Sequence, residues 1–187
     1  PDNPSVFIGF LDTDVRAKRL TSWKTELVLD ARFIGDFTQA NERRFGETET
    51  IQRVQQLYVA HPDVANRVDI IVGRRLISQA GNAWVDGLDL RFKLVDKLYL
   101  GVYGGLRPDA IDFSVTTDYQ AAGTYFQYRR KGLDIEVAYN AVIRDGLDRQ
   151  FTFGRLHWKI VDGLYLSAYT IADFQKNADL TTVIGTL

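Results

Sequence analysis

The side chains able to do chemistry in this chain are spaced two apart. Arg91 and Lys93 alternate with apolar residues in "DLRFKL", and Arg155, His157 and Lys159 do so in "RLHWKI". Carboxylates follow the same rule: Asp30 stands two before Arg32, Asp89 two before Arg91, and Asp134 two before Glu136. A period of two is the repeat of a β-strand, so these groups share one face of extended segments. Opposed rows of arginine and carboxylate create a transverse field, able to orient and filter polar or anionic solutes. The competing reading is a ladder of salt bridges that closes the space between the rows. Arg32, Arg74, Arg91, Arg129 and Arg155 are the candidate basic row. Arg74 and Arg75 adjoin, so only one of them can join it.

Bond-making chemistry finds no support. There is no Gly-Lys-Ser/Thr phosphate loop, no Gly-x-Ser-x-Gly elbow and no His-Glu-x-x-His. With no cysteine and two histidines, a Cys-ligated metal or a disulfide scaffold is excluded and a His-based metal site has little to draw on. His61 precedes Pro62 and reads as a turn residue. Asp134 and Glu136 show no sign of the set separation a glycosidase pair needs. The glycines of "GVYGG", Gly101 to Gly105, read as room for neighbouring rings or as a bend. No enzyme activity, cofactor or metal is expected. Basic and acidic residues number 23 and 24, so a nucleic-acid partner is not expected either.

The elements that must position these residues are long hairpins. "RFKLVDKLYLGVY" and "HWKIVDGLYLSAY" are near copies of one unit. A three-residue loop, Val95-Asp96-Lys97, puts Leu90, Phe92, Leu94, Leu98, Leu100 and Val102 on one face. Asp89, Arg91, Lys93, Tyr99, Gly101 and Tyr103 take the other. The second copy, with loop Val161-Asp162-Gly163, repeats the partition: Leu156, Trp158, Ile160, Leu164, Leu166 and Ala168 against Arg155, His157, Lys159, Tyr165, Ser167 and Tyr169. The last loop residue favours the left-handed region, which suits Gly163 better than Lys97. A third hairpin turns at Lys131-Gly132, with Arg129 facing Asp134 and Tyr125, Gln127 and Glu136 on the polar side.

Candidate strands run over about Val6–Lys18, Trp23–Phe37, Thr50–His61, Arg67–Ser78, Gly87–Val95, Leu98–Leu106, Thr117–Arg130, Leu133–Arg144, Asp148–Val161 and Leu164–Asp173, with an eleventh beginning at "TTVIGTL". Short connections alternate with long ones, apart from the short one near Asp145-Gly146. Many strands exceed the usual soluble length of about 5–6 residues and match the roughly 9–11 of a tilted membrane strand. Phe151 and Phe153 fall on the polar parity, so either they line the interior or a bulge near Gly154 shifts the register. No apolar run approaches the roughly 20 residues of a membrane helix. A charge facing lipid at mid-depth costs about 2–4 kcal/mol, which assigns the charged face to the inside and the apolar face to lipid. A soluble barrel would invert that assignment.

"VGRRLISQAGNAWVDGLDLRFKL" followed by "DKLYLGVYGGLRPD" resembles bacterial outer-membrane porin-like β-barrels, of the broad alginate-export type. The match rests on Gly73, Arg74 and Arg75, then Val85, Asp86, Gly87, Leu88, Asp89, Leu90 and Arg91, and on "GLDRQFTF". The resemblance implies an exported outer-membrane barrel passing small polar solutes. Members of that family are usually much longer and end in an aromatic residue, where this chain ends in Leu187. The start, "PDNPSV", reads as a processed end or as part of something longer.

The expectation is therefore an all-β, antiparallel up-and-down transmembrane β-barrel. About ten to twelve strands are visible, which suggests part of a larger barrel. The pore-lining candidates are Asp30, Arg32, Asp89, Arg91, Lys93, Tyr99, Tyr103, Arg129, Glu136, Arg155 and Lys159. Partners are the lipid bilayer and small polar solutes, with a homo-oligomer or envelope proteins left open. The competing functions are a non-conducting structural barrel of the envelope and a soluble all-β binding protein with an apolar cavity. Trp23, Tyr58, Trp84 and Trp158 should edge the apolar band.

Overall fold

The computed structural model describes residues 8–20, 22, 24–36, 50–109, 113–144, 146–174 and 179–186. Eleven strands form one antiparallel meander in sequence order. They are β1 (Ile8–Ala17), β2 (Glu26–Asp36), β3 (Thr50–Val64), β4 (Val68–Ile77), β5 (Ala83–Val95), β6 (Leu98–Leu106), β7 (Gln120–Arg130), β8 (Leu133–Ile143), β9 (Leu147–Val161), β10 (Leu164–Asp173) and β11 (Asp179–Thr186). A 3-10 turn, Ser78–Ala80, follows β4. The expected strands are all found, with ends moved by a few residues. The largest revision is β5, which starts at Ala83 rather than Gly87.

The hairpin registers agree with the sequence. Leu90 faces Val102, Arg91 faces Gly101, and Lys93 faces Tyr99. Gln127 faces Glu136, and Arg129 faces Asp134 at 3.0 Å. The two copied turns are built alike. Val95 pairs with Leu98 and Val161 with Leu164, each after a one-residue shift. The left-handed position falls on Lys97 (φ 80°) in one and Gly163 (φ 87°) in the other. Each turn is clasped by its own ion pair: Lys93 to Asp96 at 2.9 Å and Lys159 to Asp162 at 2.5 Å.

The sheet is all-β, antiparallel and up-and-down as expected, but these strands do not close it into a barrel. No ladder joins β1 to β11 among the described residues. Eleven antiparallel strands also leave the first and last running in the same direction, so they could meet only as a parallel pair.

The two faces differ in the sense expected of neither a soluble sandwich nor a simple core. Asp89 and Glu136, on the charged face, are 3% and 1% exposed, while Val72 and Val137, on the apolar face, are 54% and 51% exposed. The charged face is therefore the inner one. Leu90, Phe92 and Leu100 stand on the outer parity and do not join the buried core. That core lies on the inner face at the end where the long loops emerge. Ile77, Ala80, Val85, Tyr103, Ala121, Tyr125, Ala138 and Phe153 pack together there. It forms because the segment after β4 turns inward across the sheet and meets β7 and β8. Its composition permits this: "SQAGNA" carries no charge, so burying it strands no ion. Gly81, at φ 72°, seats against Phe153, and a Cβ there would come within 3.0 Å of that ring.

Candidate functional site

Alternation along β2 and β4 to β10 delivers polar side chains to the inner face, where they bind one another. Arg75 ion-pairs with Asp89, and its guanidinium also lies over the Tyr58 ring, 5.7 Å from the centroid. Arg91 donates through Nε to Asp69 at 2.8 Å and lies over Tyr99 at 5.4 Å. Tyr125 donates to Asp89 at 3.0 Å. Gln127 donates to Glu136 at 2.9 Å, and Arg155 ion-pairs with Glu136 from the next strand. Tyr103 donates to the Asn140 amide oxygen. Arg149 grips Asp173 with two bonds, at 2.6 and 3.0 Å.

Two glycines make room for this network. Gly101 stands opposite Tyr125, and Gly123 opposite Tyr103. A Cβ on Gly101 would lie 1.9 Å from Cζ of Tyr125, and one on Gly123 would lie 2.7 Å from the Tyr103 ring. Each tyrosine therefore lies flat across the bare backbone of its glycine partner. This answers the question raised by "GVYGG": its first glycine accommodates a ring.

The sequence-predicted residues fall on this face as follows. Asp89, Arg91, Tyr103, Glu136 and Arg155 belong to the buried network. Lys93 and Lys159 sit at its short-turn end, engaged with Asp96 and Asp162. Tyr99 lies beneath Arg91. Asp30 faces Asp14 and Gln56 in the ladders. Arg32 is exposed and bonded to Asp12 at 2.6 Å. Arg129 is exposed beside Asp134. The arginines thus alternate with carboxylate partners and do not form a bare basic row.

Arg74 leaves the row altogether. Its register partner is Asp86, on the parity of Val72 and Leu88, and the two bond at 2.6 Å. Its remaining donors reach the carbonyls of Val54 and Phe113. The Phe113 ring meets Trp84 edge-on at 5.1 Å, so the loop before β7 caps this pair on the outer face. Phe151 and Phe153 point inward without any shift at Gly154, because the β8–β9 register runs unbroken through that point. The aromatic expectation is revised too. Trp84 and Trp158 stand on the outer parity near opposite ends, but Tyr58 points inward, and Trp23 lies outside the described residues.

Sequence reasoning missed Asp69, Asn140 and Arg149 as inner-face groups. All follow from the same period of two once the registers are known. Recesses remain on this face among the described residues. One, of about 250 Å³, lies at the short-turn end among Arg67, Asp69, Arg91, Lys93 and Tyr99. Another, of about 180 Å³, lies beneath the in-turned loop, between Tyr103, Asn140, Arg149 and Phe151. Among the described residues no group of three or more His, Cys, Asp or Glu could hold a metal ion. Comparisons with protein-family models, characterised proteins and solved structures match nothing.

Proposed function

We propose that this chain forms the wall of a bacterial outer-membrane β-barrel of porin type, exported to that membrane, through which small polar or anionic solutes pass. One observation carries the reading: the sheet is inverted relative to a water-soluble one. The middle of its ionic side, at Asp89, Gln127, Glu136 and Asn140, is covered and its aliphatic side is bare. Val59, Val72, Leu88, Val102, Phe126, Val137 and Trp158 form exposed outer rows across β3 to β9. Contiguous apolar surface of this extent mates with something, and hydrocarbon is the solvent it suits. The charges at the outer register positions of β4 to β8 obey the same logic. Arg74 and Asp86 neutralise each other beneath a loop, and Arg130 sits beside a turn. Long strands of 9 to 15 residues, from β1 to β10, fit a bilayer crossing. Closure of the wall takes additional antiparallel strands.

A second reading, a non-conducting envelope barrel, draws on the paired charges and the in-turned loop, which fill part of the inner face. Single-channel recording separates the two. The conducting reading expects discrete steps in a planar bilayer, with the reversal potential in a salt gradient shifted toward cations by Arg129→Glu. Arg129 is exposed enough to lose its charge without unsealing the network. A silent bilayer after verified insertion supports the structural barrel. A folded monomer that stays dispersed in plain buffer removes both.

A further inference from the structure

We infer that the recess beneath the in-turned loop is a binding site for a small monocarboxylate with an apolar body. The recess measures about 180 Å³, far more than the ~10–15 Å³ that one water requires. Its walls divide by chemistry. Phe151, Val142 and Ile171 supply the apolar part. Arg107, Arg149 and Asn140 supply the polar part.

The polar part is short of acceptors. Asn140 is 2% exposed, and its amide oxygen already accepts from Tyr103. Its amide nitrogen has no partner, and an unmet buried donor of this kind is costly unless a ligand or water meets it. Arg149 spends Nε and one terminal nitrogen on Asp173, leaving its other terminal nitrogen available. The Arg107 guanidinium has no carboxylate partner among the described residues. Donors without acceptors beside a net positive charge select an anion, and a planar carboxylate suits a guanidinium fork. The apolar walls then favour a ligand whose remaining surface is hydrocarbon or an aromatic ring.

The site exists because the loop after β4 turns inward. Gly81 and Asn82 roof the recess, and without them Asn140 would face open space. The recess is built within one chain. Its occupancy therefore does not depend on whether the strands cross a bilayer, and the test below can fail while the membrane reading stands.

Calorimetric titration of the full chain in detergent micelles, with empty micelles as the blank, tests this using benzoate and its neutral counterpart benzamide. Saturable benzoate binding at one site per chain is expected, with benzamide at least ~tenfold weaker. Arg107→Gln should weaken benzoate about tenfold, since the loss is one charge-assisted contact at a partly exposed side chain. Asn140→Asp, which turns the unpaired donor into an acceptor, should abolish it. Arg129→Gln, on the same face but remote from the recess, should leave it unchanged. Equal affinity for benzamide and benzoate, no saturable benzoate binding, or benzoate binding untouched by Arg107→Gln would each overturn the assignment. Arg107→Gln keeps the test decisive if Asn140→Asp does not fold.

Discussion

Gly101→Ala should be among the most damaging single-methyl changes available in this chain. The added Cβ would lie 1.9, 2.2 and 2.4 Å from Cζ, Cε1 and Cε2 of Tyr125. Carbon atoms rest about 3.5–4.0 Å apart, so the ring must move by roughly 1.5–2 Å. A ring at the surface would swing aside cheaply. Tyr125 is fully buried, and its hydroxyl is bonded to Asp89, so it has nowhere to go. Overpacking of this kind costs about 1–3 kcal/mol. Displacing the hydroxyl also removes a hydrogen bond to a buried carboxylate, worth about 1.5–3 kcal/mol. The sum is about 2.5–6 kcal/mol, if the two effects add. Gly104→Ala is the matched control in the same strand. Its Cβ would meet nothing closer than 3.9 Å, so it should be neutral or stabilise by about 0.4–1 kcal/mol through the unfolded chain. Urea unfolding in micelles, followed by tryptophan fluorescence, measures both. In a Tyr125→Ala background the Gly101→Ala penalty should vanish. If Gly101→Ala and Gly104→Ala fall within about 1 kcal/mol of each other, Tyr125 does not lie where the argument requires.

The turns and the outer face give further expectations. Lys97→Gly should stabilise the first copied hairpin by roughly 0.5–1 kcal/mol, because Lys97 holds φ 80° where the second copy has glycine; the same urea assay reads it. Val137→Arg should cost about 2–4 kcal/mol of folding free energy into lipid vesicles, against about 0.5 kcal/mol or less if that face meets water. The Asp96 carboxyl, hydrogen-bonded to Lys93 and close to its charge, has its pKa lowered from the ordinary value. That clasp is thus fully present above the unfolded carboxylate pKa of about 3.9, and is lost as pH falls through the lower folded value. Protection of the first-turn amides from exchange, taken relative to the intrinsic rate at each pH, should therefore fall on acidification below that point, and Asp96→Asn should remove this pH dependence.

What could be read from the sequence was whatever depends on alternation alone. Leu90 and Arg91 must part to opposite faces whatever surrounds them, so hairpin registers and polarity follow from the sequence. The same logic carried Phe153 inward, although the sequence left a bulge as the other option. Contacts between distant strands were not visible. Arg74 and Arg75 look alike in sequence, and only the pairing of Asp86 opposite Arg74 and the approach of Phe113 decide which joins the inner network. The in-turned loop left no distinct trace: "SQAGNA" carries Ser, Gly and Asn, as an ordinary exposed turn does. Nothing local marks Asn140 as buried, because its neighbours in space come from β6, β9 and that loop.

The direction of the edges bears on how such a wall could be completed. β1 and β11 run the same way, so an antiparallel closure takes an odd number of further strands. A second copy does not supply this simply. Rotated about an axis normal to the sheet's membrane plane, it would bring its β1 parallel to this β11. Rotated about an axis within that plane, it would restore antiparallel edges but send the long loops to opposite sides. An unpaired edge is tolerable in water, where exposed charges such as Asp12, Asp14 and Arg16 on β1 discourage pairing. In hydrocarbon it is not, because each bare N–H or C=O costs several kcal/mol. The inverted polarity of the faces and the open edges therefore make one joint demand. If the outer aliphatic rows meet lipid, the ladder must continue past β1 and β11 into strands that also place apolar residues outward and polar ones inward.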